Sequence, residues 1–248
     1  MQTGKKVAVV TGAAQGIGLA IAQKLASQDI RIAVVDINRD KAEQAAASLR
    51  ADGQEAASFG CDVSRVESIR EMIQAVAGHF GQIDIIVNNA GILMSTPIPE
   101  VTEAEWDRIM AVNVKSVFFV SQQALPYLKE SACPRIVNIS SLAGRMGGFE
   151  TGMGYTASKG AIISLTYGMA RQFAPFGITV NAVCPGTTET EIISQWSKEQ
   201  IDSLISRIPL RKLGKPANIA SAVAYLASEE AEFITGLLMD VNGGMYFG

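Results

Sequence analysis

Short apolar runs rich in Val, Ile and Ala recur along the chain and alternate with longer segments whose apolar residues return every three or four positions. The runs Lys6–Val10, Arg31–Asp36, Glu55–Gly60, Ile83–Val87, Arg135–Ser140, Ile178–Cys184 and Leu237–Asp240 read as strands. Several are apolar without interruption, as strands are when helices cover both faces of a sheet. Helical patterns fill 16–28, 39–52, 65–80, 103–128, 155–174 and 216–228. This alternation predicts an α/β fold: one domain over residues 1–248, with a doubly wound, seven-stranded parallel sheet and helices on both faces. Residues 187–209 break the rhythm with polar residues, Trp196 and a closing Pro209. In a doubly wound sheet ligands bind beyond the carboxyl ends of the strands, where this insert emerges, so it is expected to act as a mobile substrate lid.

Composition narrows the class. Of 248 residues, 48% are hydrophobic and 18% charged, as in an ordinary globular chain. Lys and Arg total 21 against 24 Asp and Glu, leaving a net charge of −3 and no basic footprint for nucleic acid or an anionic membrane. Cys61, Cys133 and Cys184 are scattered, without a Cys-x-x-Cys pair, which suits neither a disulfide framework nor a metal site. Reduced thiols in a cytoplasmic enzyme are expected, with no metal. His79 is the single histidine and stands near a helix end, where a surface or capping role is ordinary. Lys5-Lys6 and the apolar stretch behind them look like a signal peptide, but Gln15 and glycines interrupt that stretch. No run of about 18 apolar residues suggests a membrane span.

Candidate chemistry begins where the first strand ends. Thr11-Gly12-Ala13-Ala14-Gln15-Gly16-Ile17-Gly18 joins a strand to a helix. Gly12, Gly16 and Gly18, with Gln15 and Ile17 between them, suit a tight turn whose backbone closely approaches a pyrophosphate at a helix N-terminus. Asp36 ends the second strand, where a carboxylate accepts from both adenosine ribose hydroxyls and repels a 2′-phosphate. Ala13 and Ala14 place no cation in the turn, and Arg39 opens a helix, so NAD is expected over NADP. Asp62-Val63 and Asn88-Asn89-Ala90-Gly91 leave the third and fourth strands on the same rim. Asp62 can accept from an adenine amino group or serve as an N-cap. Asn89, Ala90 and Gly91 let backbone pass close to a cofactor, or form a simple turn.

Tyr155 and Lys159 are four apart on a helical segment and so share one face. A tyrosine near its ordinary pKa of about 10 is a poor base at neutral pH, and bringing it to about 7 takes roughly 4 kcal/mol of selective phenolate stabilisation. A cation about 4 Å away supplies that order of energy at an effective dielectric near 20. In isolation such a pair is more often packing and surface.

The whole set changes that. TGxxxGIG, the strand-end Asp36, NNAG, Asn113, Ser141 in NISSLAG, YxxxK and Pro185-Gly186 resemble the short-chain dehydrogenase/reductase family in order and spacing, over the entire chain. The resemblance implies a Rossmann fold and four catalytic residues. Tyr155 is then the general acid/base, and Ser141 bonds the reacting oxygen. Ser141 rather than Ser140 fits, because it stands three residues before Gly144. Lys159 lowers the Tyr155 pKa and binds the nicotinamide ribose, and Asn113 holds a water in a proton relay. Beyond Pro185 and Gly186, the Thr188 backbone meets the nicotinamide carboxamide, at a position usually apolar in the family, and Thr190 approaches the carboxamide or phosphates. Helices 103–128 and 155–174 would build a homotetramer.

Substrate choice falls to Leu93–Thr96, Arg145–Gly154 and the lid. Ser95, Arg145, Glu150 and Trp196 make this region mixed, while Met94, Met146, Phe149 and Met153 add apolar surface. The lead expectation is a secondary alcohol, sugar or polyol interconverted with its carbonyl. The alternative is a 3-oxoacyl thioester, although carrier-specific members tend to be basic where this chain has Ala132 and Phe176. A non-catalytic NAD-binding scaffold would keep the glycines and Asp36 but lose Tyr155, Lys159 or Ser141, all of which are present.

Overall fold

In the computed structural model, residues 4–148, 151–189 and 197–248 are described. Seven strands form one parallel sheet: β1 (Val7–Thr11), β2 (Arg31–Asp36), β3 (Ala56–Gly60), β4 (Ile85–Asn88), β5 (Arg135–Ile139), β6 (Thr179–Pro185) and β7 (Leu238–Val241). Their order is β3-β2-β1-β4-β5-β6-β7. The chain winds outward from β1 to β3, returns to β4 beside β1, and winds outward again. The break between β1 and β4 is the switch point where a crevice opens at the carboxyl edge.

Helices α1 (Gly16–Ala26), α2 (Arg39–Ala51) and α9 (Pro216–Leu226) cover one face, packing Ile21, Leu25, Ile219 and Val223 on Val10, Val34 and Val87. On the other face α3 (Val66–Phe80), α5 (Ser116–Leu128) and α7 (Met153–Phe173) pack Ile69, Ile73, Val120 and Met169 on Val9, Ile86 and Ile136. Each central strand therefore buries both of its sides, which is why the sequence shows runs rather than alternation.

Two expectations need correction. The helix predicted over 103–128 is α4 (Glu103–Met110) and α5 joined by a π-helical turn, Ala111–Lys115. The inserted residue rotates Asn113 into the interior, and π-turns of this kind recur at functional sites. The irregular insert contains a regular element, α8 (Lys198–Arg207), opened by a reciprocal cap between Ser197 and Gln200. A five-residue helix, α6 (Leu142–Met146), also follows β5 and was not predicted.

Candidate active site

The turn after β1 needs glycine for two separate reasons. Gly12 and Gly16 have φ of 63° and 58°, torsions that side-chain-bearing residues avoid. Gly18 has ordinary torsions but no room: a Cβ there would lie 2.1 Å from the Gly12 carbonyl oxygen and 2.5 Å from Asn89 Nδ2. The Asn89 amide clamps the same turn, donating to the Thr11 and Gly12 carbonyls at 2.9 and 3.0 Å. At Gly16 a Cβ would meet nothing within 4 Å, because that face borders the cleft.

That cleft has a volume of about 730 Å³ and runs along the carboxyl edge of the sheet. Gly12, Gln15, Gly16, Ile17, Gly18, Asp36, Asp62, Val63, Asn89, Ala90, Gly91, Ser141, Tyr155, Lys159, Pro185, Gly186 and Thr188 all line it. The Asp36 carboxylate accepts from the Ala14 and Asn38 amides at 3.2 and 3.0 Å, which fixes it at one end with lone pairs to spare. The open glycine turn and this fixed carboxylate fit the pyrophosphate and ribose of a nicotinamide dinucleotide. Arg39 lies across Gly60, where a Cβ would fall 2.3 Å from its Nε, and does not line the cleft. Lys41 does, donating to Gln15 Oε1 at 2.8 Å.

The catalytic end is assembled by α6 packing on α7. Gly144 makes this possible, since a Cβ there would sit 2.6 Å from the Lys159 carbonyl carbon. Ser140 and Ser141 then divide their tasks. Ser140 Oγ, buried, donates to the Lys159 carbonyl at 2.8 Å and serves the packing. Ser141 caps α6, accepting from the Ala143 amide at 3.1 Å, and its hydroxyl stands near enough to the Tyr155 phenol to favour the phenolate. Both serines line the cleft, but the Ser140 hydroxyl is already committed to the Lys159 carbonyl.

Burial pushes the Tyr155 phenol above its ordinary value, and the Ser141 hydroxyl offsets this only in part. Lys159 Nζ stands 5.6 Å from the Tyr155 ring centroid and donates to the Ile139 carbonyl at 2.9 Å. Burial lowers the ammonium from 10.5 to about 8, so it keeps most of its proton at neutral pH. The expected lowering of the phenol by Lys159 is not among the influences on it: burial raises its pKa, and what lowering there is comes from Ser141.

A stability consequence follows from the buried ammonium. Below about 8 folded and unfolded chains both hold the proton, and the fold bears the cost of a desolvated charge. Between about 8 and 10.5 only the unfolded chain still binds it, so wild-type stability gains with rising pH. Lys159→Met lacks this cost, and its melting-temperature advantage over wild type is expected to shrink across that window. Thermal melts at stepped pH check this; a gap that stays constant contradicts a low Lys159 pKa.

Asn113 is fully buried behind the cleft. Its Nδ2 donates to the Ile92 carbonyl and to Ser158 Oγ, both at 3.0 Å, and its Oδ1 accepts from the Ile92 amide at 2.8 Å. Both amide hydrogens are used, so the side chain offers an expected relay water no more than one acceptor lone pair. Its visible work is to lock Ile92 beside Lys159.

The expected substrate residues divide differently. Ser95 and Met153 are exposed and do not line the cleft, and beside them the Gly152 amide donates to the Met94 carbonyl at 2.8 Å. Phe149, Thr190 and Trp196 lie outside the described residues. Arg145 turns away from the cleft to pair with Asp240 at 3.2 Å. Leu93, Leu204 and Arg207, from the segments expected to choose substrate, do line the cleft, and Ile92, Arg108, Val112 and Met245 contribute wall that sequence reasoning missed. Arg108 and Met245 come from chain distant from any strand-end motif.

A doubly wound sheet, a glycine turn at its switch point and a Ser-Tyr-Lys trio in one cleft define a nicotinamide-dependent oxidoreductase. The sequence model of the family described as enoyl-(acyl carrier protein) reductase matches residues 12–246. The 3-oxoacyl-[acyl-carrier-protein] reductase FabG of Staphylococcus epidermidis is 38% identical over 242 residues, 97% of this chain and 99% of that protein. Its namesake from Vibrio cholerae is 39% identical over 241 residues, 97% of each. The crystal structure of gox2181 superposes with a TM-score of 0.94 at 30% identity, covering 98% of this chain and 96% of that one. The chain belongs to the short-chain dehydrogenase/reductase family.

Among the described residues no helix is long and apolar enough to cross a membrane, and no cluster of His, Cys, Asp and Glu could hold a metal ion.

Proposed function

We propose that the protein interconverts a ketone and a secondary alcohol, reduction being the favoured direction, with NAD as the cofactor and Tyr155 as general acid/base. The observation that carries this is the Tyr155–Ser141 hydroxyl pair facing the same cleft as the Gly12–Gly18 turn. When bound, nicotinamide supplies or removes the hydride. The chain does the rest. Ser141 orients the carbonyl oxygen, Tyr155 delivers a proton to it, and Lys159 keeps two of its three donors for ribose hydroxyls, the third being held by Ile139. A phenol held above its ordinary value is protonated throughout the neutral range, which is the form that reduction requires.

Two substrate classes compete, and the 3-oxoacyl thioester has the better support. The relatives carry that activity in their names. The inner wall of Ile92, Leu93, Val112, Leu204 and Met245 suits an acyl chain, and the withdrawal of Arg145 removes one reason for expecting a polyol. The polyol or small alcohol remains the second reading because Phe176 stands where a carrier-binding basic residue would be, with Lys129 Nζ 3.7 Å above its ring. Nicotinamide absorbance, followed with a 3-oxoacyl-coenzyme A and with a panel of ketoses and polyols, separates them. Thioester kcat/KM about tenfold or more above any sugar is expected, a margin of about 1.4 kcal/mol in transition-state binding. The reverse ratio returns the polyol reading.

Asp36 supports NAD. Asp36→Ala is expected to raise the NAD KM about tenfold, the typical value of a charge-assisted hydrogen bond. It should also narrow the NAD-to-NADP ratio, because Lys41 would remain as a cation beside the ribose. Unchanged cofactor ratios in paired assays would remove Asp36 from the ribose. A homotetramer is part of the same proposal: Trp106, Phe118 and Tyr167 expose apolar surface on α4, α5 and α7, the helices expected to pair.

A further inference from the structure

The short helix that carries Ser141 is held at its far end by a contact with no obvious stabilising value. Arg145, in the last turn of α6, reaches Asp240 on β7 through one Nη2–Oδ2 contact of 3.2 Å. The two side chains are 13% and 18% exposed. Arg145 Nε and Asp240 Oδ1 are buried with no hydrogen-bond partner. A charge-assisted bond is ordinarily shorter, and a guanidinium facing a carboxylate ordinarily uses both nitrogens. Two desolvated charges meeting through a single long contact gain little over a packed apolar pair, so stability is a poor reason for them to be here.

Their position offers another. Asp240 is in register with Cys184 on β6, the strand next to the one that leads into Ser140 and Ser141. From the tail, Tyr246 closes over Arg145, with the guanidinium carbon 4.9 Å from its ring centroid. Helix α6 is therefore fixed at three points within five residues: the Ser141 cap on the Ala143 amide, Gly144 against the α7 backbone, and Arg145 against β7. Gly144 is the fulcrum, since its contact is with main chain that does not yield. Rotation about it would move Arg145 and Ser141 together.

We propose that Arg145 and Asp240 are positioning residues that set the rotation of α6 and hence the aim of the Ser141 hydroxyl at the reacting oxygen. The proposal rests on the ketone-reductase reading and adds to it the group that orients its serine. In Arg145→Met and Asp240→Asn, kcat should fall about 10- to 100-fold, the order expected when a reacting group is misplaced by about an ångström. KM and the NADH dissociation constant should stay within about threefold of wild type, marking a loss confined to the transition state. Arg145→Lys should recover most of kcat, because one nitrogen carries the contact. The double variant Arg145→Met/Asp240→Leu, which removes both charges, should fold at least as well as wild type yet remain slow.

Wild-type kcat in a folded single variant, or recovery of kcat in the apolar double variant, overturns the proposal. Hydrogen exchange at the Ala143–Met146 amides tests the same idea without turnover. Faster exchange there, with the sheet unchanged, is expected in both single variants, and unchanged exchange counts against the brace. If wild type binds NADH but reduces neither thioesters nor sugars, the functional reading fails, while the exchange measurement still decides on the brace.

Discussion

Tyr155→Phe is expected to lower kcat roughly 10³-fold at neutral pH while leaving the NADH dissociation constant within about twofold of wild type. The substitution removes one oxygen and keeps the ring, so the cleft wall is preserved. Among the described residues lining the cleft no second phenol and no histidine can take over the proton, and Asp36 and Asp62 follow β2 and β3, at the other end of the cleft from β5. Ser141 would lose its neighbouring hydroxyl but could still bond a carbonyl oxygen, so Ser141→Ala should cost less, about 10²-fold. The two directions should also differ. Reduction uses the phenol as burial leaves it, protonated, and should be flat through neutral pH. Oxidation needs phenolate, and its rate should climb with pH until the Lys159 ammonium, near 8, begins to lose its own proton. Steady-state assays in both directions check this. Substantial turnover by the phenylalanine variant would mean that the proton comes from elsewhere.

What could be read from the sequence, and what could not, follows from the range of the interactions involved. The strands were legible because both faces are buried: Val7, Ala8, Val9 and Val10 are each fully covered, and no polar residue could stand among them. The turn was legible because Gly12 and Gly16 answer to local torsions. Asn113 was legible as a motif residue but not as a position, since one inserted residue in a π-helical turn leaves the hydrophobic period nearly unchanged. Helix α6 has five residues, too few for a period to show. Helix α8 was missed although the Ser197-x-x-Gln200 spacing of its reciprocal cap is a local signal that could have found it. Lys41 reached the cleft because the first turn of α2 carries it back towards Gln15, and Arg108 and Met245 because tertiary packing brings two remote segments to one wall. No local pattern encodes such meetings. The direction of Arg145 belongs to the same class: the sequence places it beside the substrate region, and only the position of β7 turns it away.

Gly18→Ala should be among the most damaging single substitutions in the molecule, although it adds one methyl group. The new carbon would lie 2.1 Å from the Gly12 carbonyl oxygen and 2.8 Å from its carbonyl carbon, main-chain atoms at the centre of the turn. Rotating a side chain cannot relieve that contact, so α1 has to withdraw from β1. Withdrawal also releases Asn89 Nδ2, 2.5 Å from the added methyl, from the two carbonyls that it clamps. Overpacking of this kind costs about 1–3 kcal/mol, and the lost hydrogen bonds add about 1 kcal/mol each. At about 2–4 °C per kcal/mol for a chain of this size, the melting temperature should fall by roughly 10 °C. Binding should suffer as well, because the amides at the start of α1 are the donors available to a pyrophosphate there. NADH affinity is expected to drop at least about tenfold even at temperatures where the variant is folded. Gly16→Ala provides the contrast: its methyl meets no protein atom, so its cost is torsional, about 1 kcal/mol, and any larger loss of NADH affinity reports the ligand's own approach to that face. Calorimetry and fluorescence titration of both variants separate the two effects. Equal melting temperatures for Gly18→Ala and wild type would show that α1 does not pack against the turn as described.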